Sequence, residues 1–156
     1  MFIWSVSAQQ RPDTTFIPEI VEPLFDVSVA PVICIDSAHN NLHTLDVGFS
    51  PFARLMKANG FQMRDLSSSV SNREVLLSCD IYAIINPLHK SNLGNWVLPN
   101  PSAFTEQEIK EINQWVNQGG RLFLVADHMP FGGAAYDLAH SFGFEFSNGF
   151  DRLKKE

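Results

Sequence analysis

Directly behind the apolar run "APVIC", the stretch "IDSAHNNLHT" (35–44) gathers Asp36, His39, Asn40, Asn41 and His43. The chain has five histidines in all, and two of them stand four residues apart here. A second group, "VADHMP" (125–130), sets Asp127 beside His128. Imidazole and carboxylate together fit two chemistries. One is a metal site, in which Asp36, His39, His43 and His128 would hold zinc or another first-row divalent ion and leave one position open for water. The other is acid–base work without metal, in which a histidine near its ordinary pKa is oriented by Asp36 or Asp127. The spacing D-x-x-H-x-x-x-H is less diagnostic of metal than two histidines one helical turn apart on a helix would be. A third reading is structural: the aspartates tie loops to backbone amides while the histidines bond carbonyls. For any one histidine the structural reading comes first; for the cluster as a whole we expect a binding site.

These side chains share a site only if the elements carrying them bring them together. "VAPVICID" is apolar without alternation, as expected of a strand buried on both faces. Ser50 as N-cap and Pro51 at the first helical position open a helix that stops at Asn59-Gly60. "FQMRDL" (61–66) follows as a second strand, and Ser71 with Glu74 has capping-box spacing for a short helix leading into a third strand, "CDIYAIINP". Residues 89–102 read as a long loop holding Trp96. Thr105 and Glu108 form another capping box, opening a helix with Ile109, Ile112, Trp115 and Val116 on one stripe and Gly119-Gly120 at its end. "RLFLVAD" (121–127) is the fourth strand, residues 133–141 a last helix, and "FEF" (144–146) the start of a fifth strand.

Alternating strands and helices imply a three-layer α/β/α sandwich, flavodoxin-like, around a parallel sheet of about five strands. In such sheets ligands lie beyond the carboxyl ends of the strands. With strand order 2-1-3-4, His39 and His43, then Asn86 and His89, then Asp127 and His128 would line one rim. Asp36, His39, Asp127 and His128 are the catalytic candidates; Asn40, Asn41, His43, Asn86 and His89 are the ligand-binding candidates.

Composition narrows the function classes. With 156 residues and 45% of them hydrophobic, the chain supports one core. We expect a lead-in over 1–28, with prolines at 12, 18 and 23, and a single domain over 29–156. A net charge of -6, with no basic run beyond Lys154-Lys155, gives no footprint for a nucleic-acid partner. No apolar stretch reaches the roughly 20 residues of a membrane span. Phe2-Ile3-Trp4 followed by Val6-Ser7-Ala8 has the look of the end of a secretory signal, which points to a periplasmic or extracellular protein; a frayed terminus on a cytoplasmic one is the alternative. Cys34 and Cys79, at two predicted strands, read as packed thiols rather than a disulfide framework. No Walker loop, GxGxxG or GxSxG is present, so neither nucleotide binding nor a serine nucleophile is expected. Gly132-Gly133 fits either an anion site at a helix start or close packing.

"IDSAHNNLHT", "SAFTEQEIKEINQWVNQGGRLFLVADHMPFGGAA" and "FGFEFSNGF" resemble the DUF4350-type proteins, which are related to the GIFT domain and similar in fold to class I glutamine amidotransferases. The resemblance covers residues 30–150 and is most specific at "GGRLFLVADHMPF". It implies a flavodoxin-like sandwich, often exported, and a chain continuing past "NGF", so that an edge strand is either missing here or supplied by a homodimer or another partner protein. The amidotransferase cysteine is absent where "ADHMP" stands, so glutaminase activity is not implied. Analogy with the trehalose-utilisation-like branch of that superfamily suggests a carbohydrate-related small-molecule ligand. Two functions follow as expectations: a metal-assisted hydrolase, and a non-catalytic binding or assembly module using the same crevice or the Trp96 loop.

Overall fold

The computed structural model describes residues 11–150. The signal-like segment lies outside the described residues. Seven regular elements follow in order: β1 (Val32–Asp36), α1 (Ser50–Ala58), β2 (Gln62–Leu66), β3 (Ile81–Ile85), α2 (Glu106–Asn117), β4 (Arg121–Val125) and α3 (Phe131–Ser141). The strands form one parallel sheet in the order β2-β1-β3-β4. The sheet has four strands rather than the five expected, because residues 144–146 take up no ladder pairing. Short 3₁₀ turns at Arg73–Ser78 and Lys90–Asn92 replace the helix expected after Ser71 and punctuate the long loop.

Period two in the strands sorts side chains between the layers. Ile33, Ile35, Ala83 and Ile85 point to one face, where Phe52 and Met56 of α1 cover them. Cys34, Tyr82 and Ile84 point to the other face and pack on Ile112 and Trp115 of α2 and Leu138 of α3. Asp36 is two residues beyond Cys34 and therefore falls on the α2 side. The helix starts differ in chemistry. Thr105 and Glu108 make the reciprocal capping box that their spacing announced. At α1, Ser50 is the first helical residue and Phe49 the cap, with no side-chain hydrogen bond, so Pro51 carries the signal there.

The cysteines are a correction. Cys34 and Cys79 form a disulfide with a Cα–Cα distance of 5.7 Å. Cys34 is in the middle of β1, and Cys79 leads into β3, the strand hydrogen-bonded beside it. Parallel pairing brings together residues that are 45 apart in the chain. The Gly132-Gly133 pair also resolves. A Cβ at Gly132 would collide with the Ser147 carbonyl, and the Gly133 amide already donates to Asn148 Oδ1 at 3.0 Å. Close approach of residues 147–148 to α3 requires the glycines, and that amide is not free for an anion.

Loop closure over 45 residues makes the disulfide worth up to about 4 kcal/mol through the unfolded chain. Urea unfolding with and without reductant should show that loss, with a fall in Tm on the order of 10 °C. Identical curves would show that the bridge contributes nothing.

Candidate functional site

At the carboxyl end of β1, Asp36 is completely buried. It is not left unpaired. Tyr82 Oη donates to its Oδ1 at 2.8 Å, reaching diagonally from the neighbouring strand on the same face. His39 Nδ1 lies 2.9 Å from its Oδ2, and the Ala38 amide donates to Oδ1 at 3.3 Å. The other ring nitrogen of His39, Nε2, lies 3.2 Å from Glu108 Oε1. Glu108 belongs to the capping box: its Oε2 accepts from Thr105 N and Oγ1, both at 2.9 Å, while Ser69 Oγ donates to Oε1 at 2.6 Å. One carboxylate thus caps α2 and receives the imidazole.

With a carboxylate on each nitrogen, the arrangement favours the form in which both His39 nitrogens donate, the imidazolium. Burial opposes that charge, but the hydrogen bond and charge of Asp36, joined by those of Glu108, outweigh it and raise the His39 pKa above its ordinary value. For Glu108, burial pushes upward and is outweighed by the bonds from Ser69 and Thr105 and by the His39 charge, so its pKa is lowered. Burial and the neighbouring Asp36 raise the Tyr82 phenol well above its usual value, keeping it a neutral donor. No buried side-chain nitrogen or oxygen among the described residues lacks a partner.

In this geometry Asp36 and His39 are paired with each other, with Tyr82 and with Glu108. An enclosed imidazolium has no lone pair to offer a metal or a water proton. The expected ligand set, Asp36, His39, His43 and His128, is not assembled either. Among the described residues, no three His, Cys, Asp or Glu side chains are arranged to hold a metal ion. His43 stacks on Phe49, with ring centroids 5.9 Å apart, over Gly48, whose φ of +80° and missing Cβ make room for the ring. His89 Nδ1 caps its own turn by accepting from Ser91 N at 3.2 Å. His128 has its own surroundings, Trp96, Phe131 and Phe150, and shares no partner with His39.

The asparagines stitch the rim together. Leu88 N donates to His39 O at 2.9 Å and Leu42 N to Asn86 O at 3.0 Å. Asn40 Nδ2 donates to Leu88 O at 3.1 Å, and Asn41 Nδ2 to Ile85 O at 3.3 Å. Asn86 Oδ1 accepts from Asp127 N at 3.2 Å, which ties in the loop after β4. Asn40 and Asn86 both sit at φ of +50°, a left-handed conformation that asparagine tolerates better than most residues.

A groove of about 570 Å³ opens on this scaffold, lined by Asn40, Asn41, Leu42, Leu88, Leu93 and Trp96. The size suits a small molecule. Trp96, 41% exposed, continues the wall to His128, whose ring lies 5.8 Å from the indole. His128 Nδ1 donates to Met129 O at 2.7 Å, and its Nε2 lies 3.9 Å from Asp127 Oδ1. Both side chains are partly exposed, at 36% and 44%. Asn92, buried, holds the Trp96 loop through its Nδ2, which donates to the carbonyls of Asn95, Val97 and Pro99.

Glu108, Tyr82, Ser69 and Asn92 had no place in the site read from the sequence. Only Glu108 carried a signal, its capping-box spacing, and that signal speaks of a helix start. Comparison with protein-family models, curated proteins and solved structures returned no match.

Removing the imidazole from between two buried carboxylates should cost about 3–5 kcal/mol, so His39→Ala is expected to unfold at markedly lower urea. The pH dependence has a definite sign. Because the folded pKa of His39 lies above the unfolded value near 6.5, its contribution is complete below that value and is lost as pH rises through the raised folded pKa. Glu108 acts oppositely, losing its contribution as pH falls through its lowered pKa. Wild-type stability measured between about pH 6 and 9 should therefore decline more steeply than that of His39→Gln; parallel profiles would show that His39 is not charged in the fold.

Proposed function

We propose that the protein is a non-catalytic module that binds a polar, ring-shaped small molecule of sugar type in the strand-end groove. The observation that carries this reading is the wall itself: an exposed indole on a loop pinned by Asn92, facing asparagines held by backbone bonds. An aromatic face covers the apolar side of a sugar ring, while amides and His128 can meet its hydroxyls. The pinned loops leave little ordering for the ligand to impose. The buried Asp36–His39–Glu108 array supports the non-catalytic half of the proposal, since its charges are already paired. We also propose an oxidising, exported setting, which the Cys34–Cys79 disulfide supports.

A hydrolytic reading is favoured by one observation, the orientation of His128, whose Nδ1 is held by Met129 O while Nε2 is turned towards Asp127. It predicts turnover of aryl glycosides or esters that His128→Ala abolishes.

Titration with a panel of neutral mono- and disaccharides, followed by calorimetry and indole fluorescence, tests the proposal. At least one sugar should saturate without being turned over, and Trp96→Ala should weaken it tenfold or more, about 1.4 kcal/mol. A folded protein that binds no sugar in the panel would contradict the binding role, and turnover would contradict the non-catalytic one.

A further inference from the structure

Among the described residues, β4 is the last strand on its side of the sheet. Val125 O accepts from Asn86 N at 2.8 Å and Asp127 N donates to Asn86 Oδ1, so the odd-numbered residues of "RLFLVAD" turn their backbone groups towards β3. Leu122, Leu124 and Ala126 then turn theirs outward. Among the described residues, no strand pairs with that edge. Such an edge is usually blunted by proline, a bulge or central charges, and Leu122–Ala126 has none of these. Beside it lies an apolar groove of about 470 Å³, lined by Val116, Leu122, Leu124, Ala139, Phe142 and Phe144. On the opposite face Phe123 is 44% exposed.

We propose that a second copy of this chain occupies this edge, its β4 pairing antiparallel with the first about a two-fold axis at Leu124. The sequence is self-complementary in that register. Leu124 faces Leu124 of the second copy, and Leu122 faces its Ala126; these are the residues with outward N–H and C=O groups, so they exchange hydrogen bonds in both directions. Phe123 faces Val125, and Arg121 faces Asp127, in the non-bonded pairs where side chains approach most closely. Phe123 and Val125 pack on the α1 side of β4, and Arg121 shares their parity. In the proposed dimer Asp127, two residues beyond the end of β4, continues the same alternation, so that each pair meets on one side of the joined sheet. A two-fold axis makes every contact twice, giving two Arg121–Asp127 ion pairs. Leu122 and Leu124 of each copy would extend the apolar groove of the other. The dimer has one continuous eight-stranded sheet and no exposed β4 edge.

Charge reversal with rescue tests this register. The full chain is followed by analytical ultracentrifugation from about 1 to 100 µM, a range that reveals micromolar association. Wild type should dimerise. Arg121→Asp places carboxylates opposite each other and Asp127→Arg places guanidiniums opposite each other, so each variant alone should dissociate at least tenfold more readily. Mixed one to one, the two variants restore both ion pairs and should form a heterodimer. The double variant should recover self-association. Circular dichroism of each variant confirms its fold, and the mixing result excludes a merely damaged protein. A wild type that stays monomeric throughout, or that associates only with a different chain, overturns the proposal. So does a dimer that neither substitution weakens, or weakened variants that mixing fails to restore.

Discussion

The rim depends on a positive charge with almost no access to water. His39 is held between Asp36 and Glu108, and all three are buried at the carboxyl end of the sheet. Burying charged groups costs several kcal/mol each, which their mutual attraction offsets only when the geometry is good and every remaining donor and acceptor is satisfied. Tyr82, Ser69, Thr105 and the Ala38 amide supply those remaining bonds. Such a network adds little to net stability compared with an apolar core of equal volume, but it permits few alternative arrangements. It fixes one loop conformation. The loop after β1, the segment at Ser69 and the start of α2 come from distant parts of the chain, and one imidazolium brings all three into register.

That fixation extends outward to the surface. The His39 carbonyl accepts from Leu88, Asn40 and Asn41 reach the carbonyls of Leu88 and Ile85, and Asn86 links the ends of β3 and β4. Beneath them, the Cys34–Cys79 bridge joins β1 to the entry of β3 within the core. The groove walls therefore rest on a covalent link below and a charged lock above. The polar residues nearest the groove mainly hold its shape, and the exposed Trp96 and the partly exposed His128 are left to meet a ligand.

The sequence carried the architecture further than the chemistry. Continuous apolar runs at 32–35 and 81–85 and the capping box at 105–108 announced the parallel sheet and the helix crossing it. Those signals are local, and tertiary packing agreed with them. The site was legible in its residues and not in its connections. Asp36 and His39 stood out because two polar side chains follow a buried strand, yet their partner Glu108 lies 69 residues after His39 and spoke only as a helix cap. The disulfide escaped for the same reason, since pairing of β1 with β3 brings together cysteines that nothing local relates. "FEF" alternates like a strand, but it takes up no ladder pairing, and residues 147–148 approach the glycines of α3 instead.

The most direct test is the ionisation of His39 itself. Proton–nitrogen NMR of histidine-labelled protein, assigned by loss of the signal in His39→Gln, reports the charge and both ring hydrogens. The account expects an imidazolium with two slowly exchanging N–H protons that persists well above pH 6.5, because two carboxylates hold them. A neutral ring at pH 7 with one bare nitrogen would contradict the locked rim and return His39 to the candidates for catalysis.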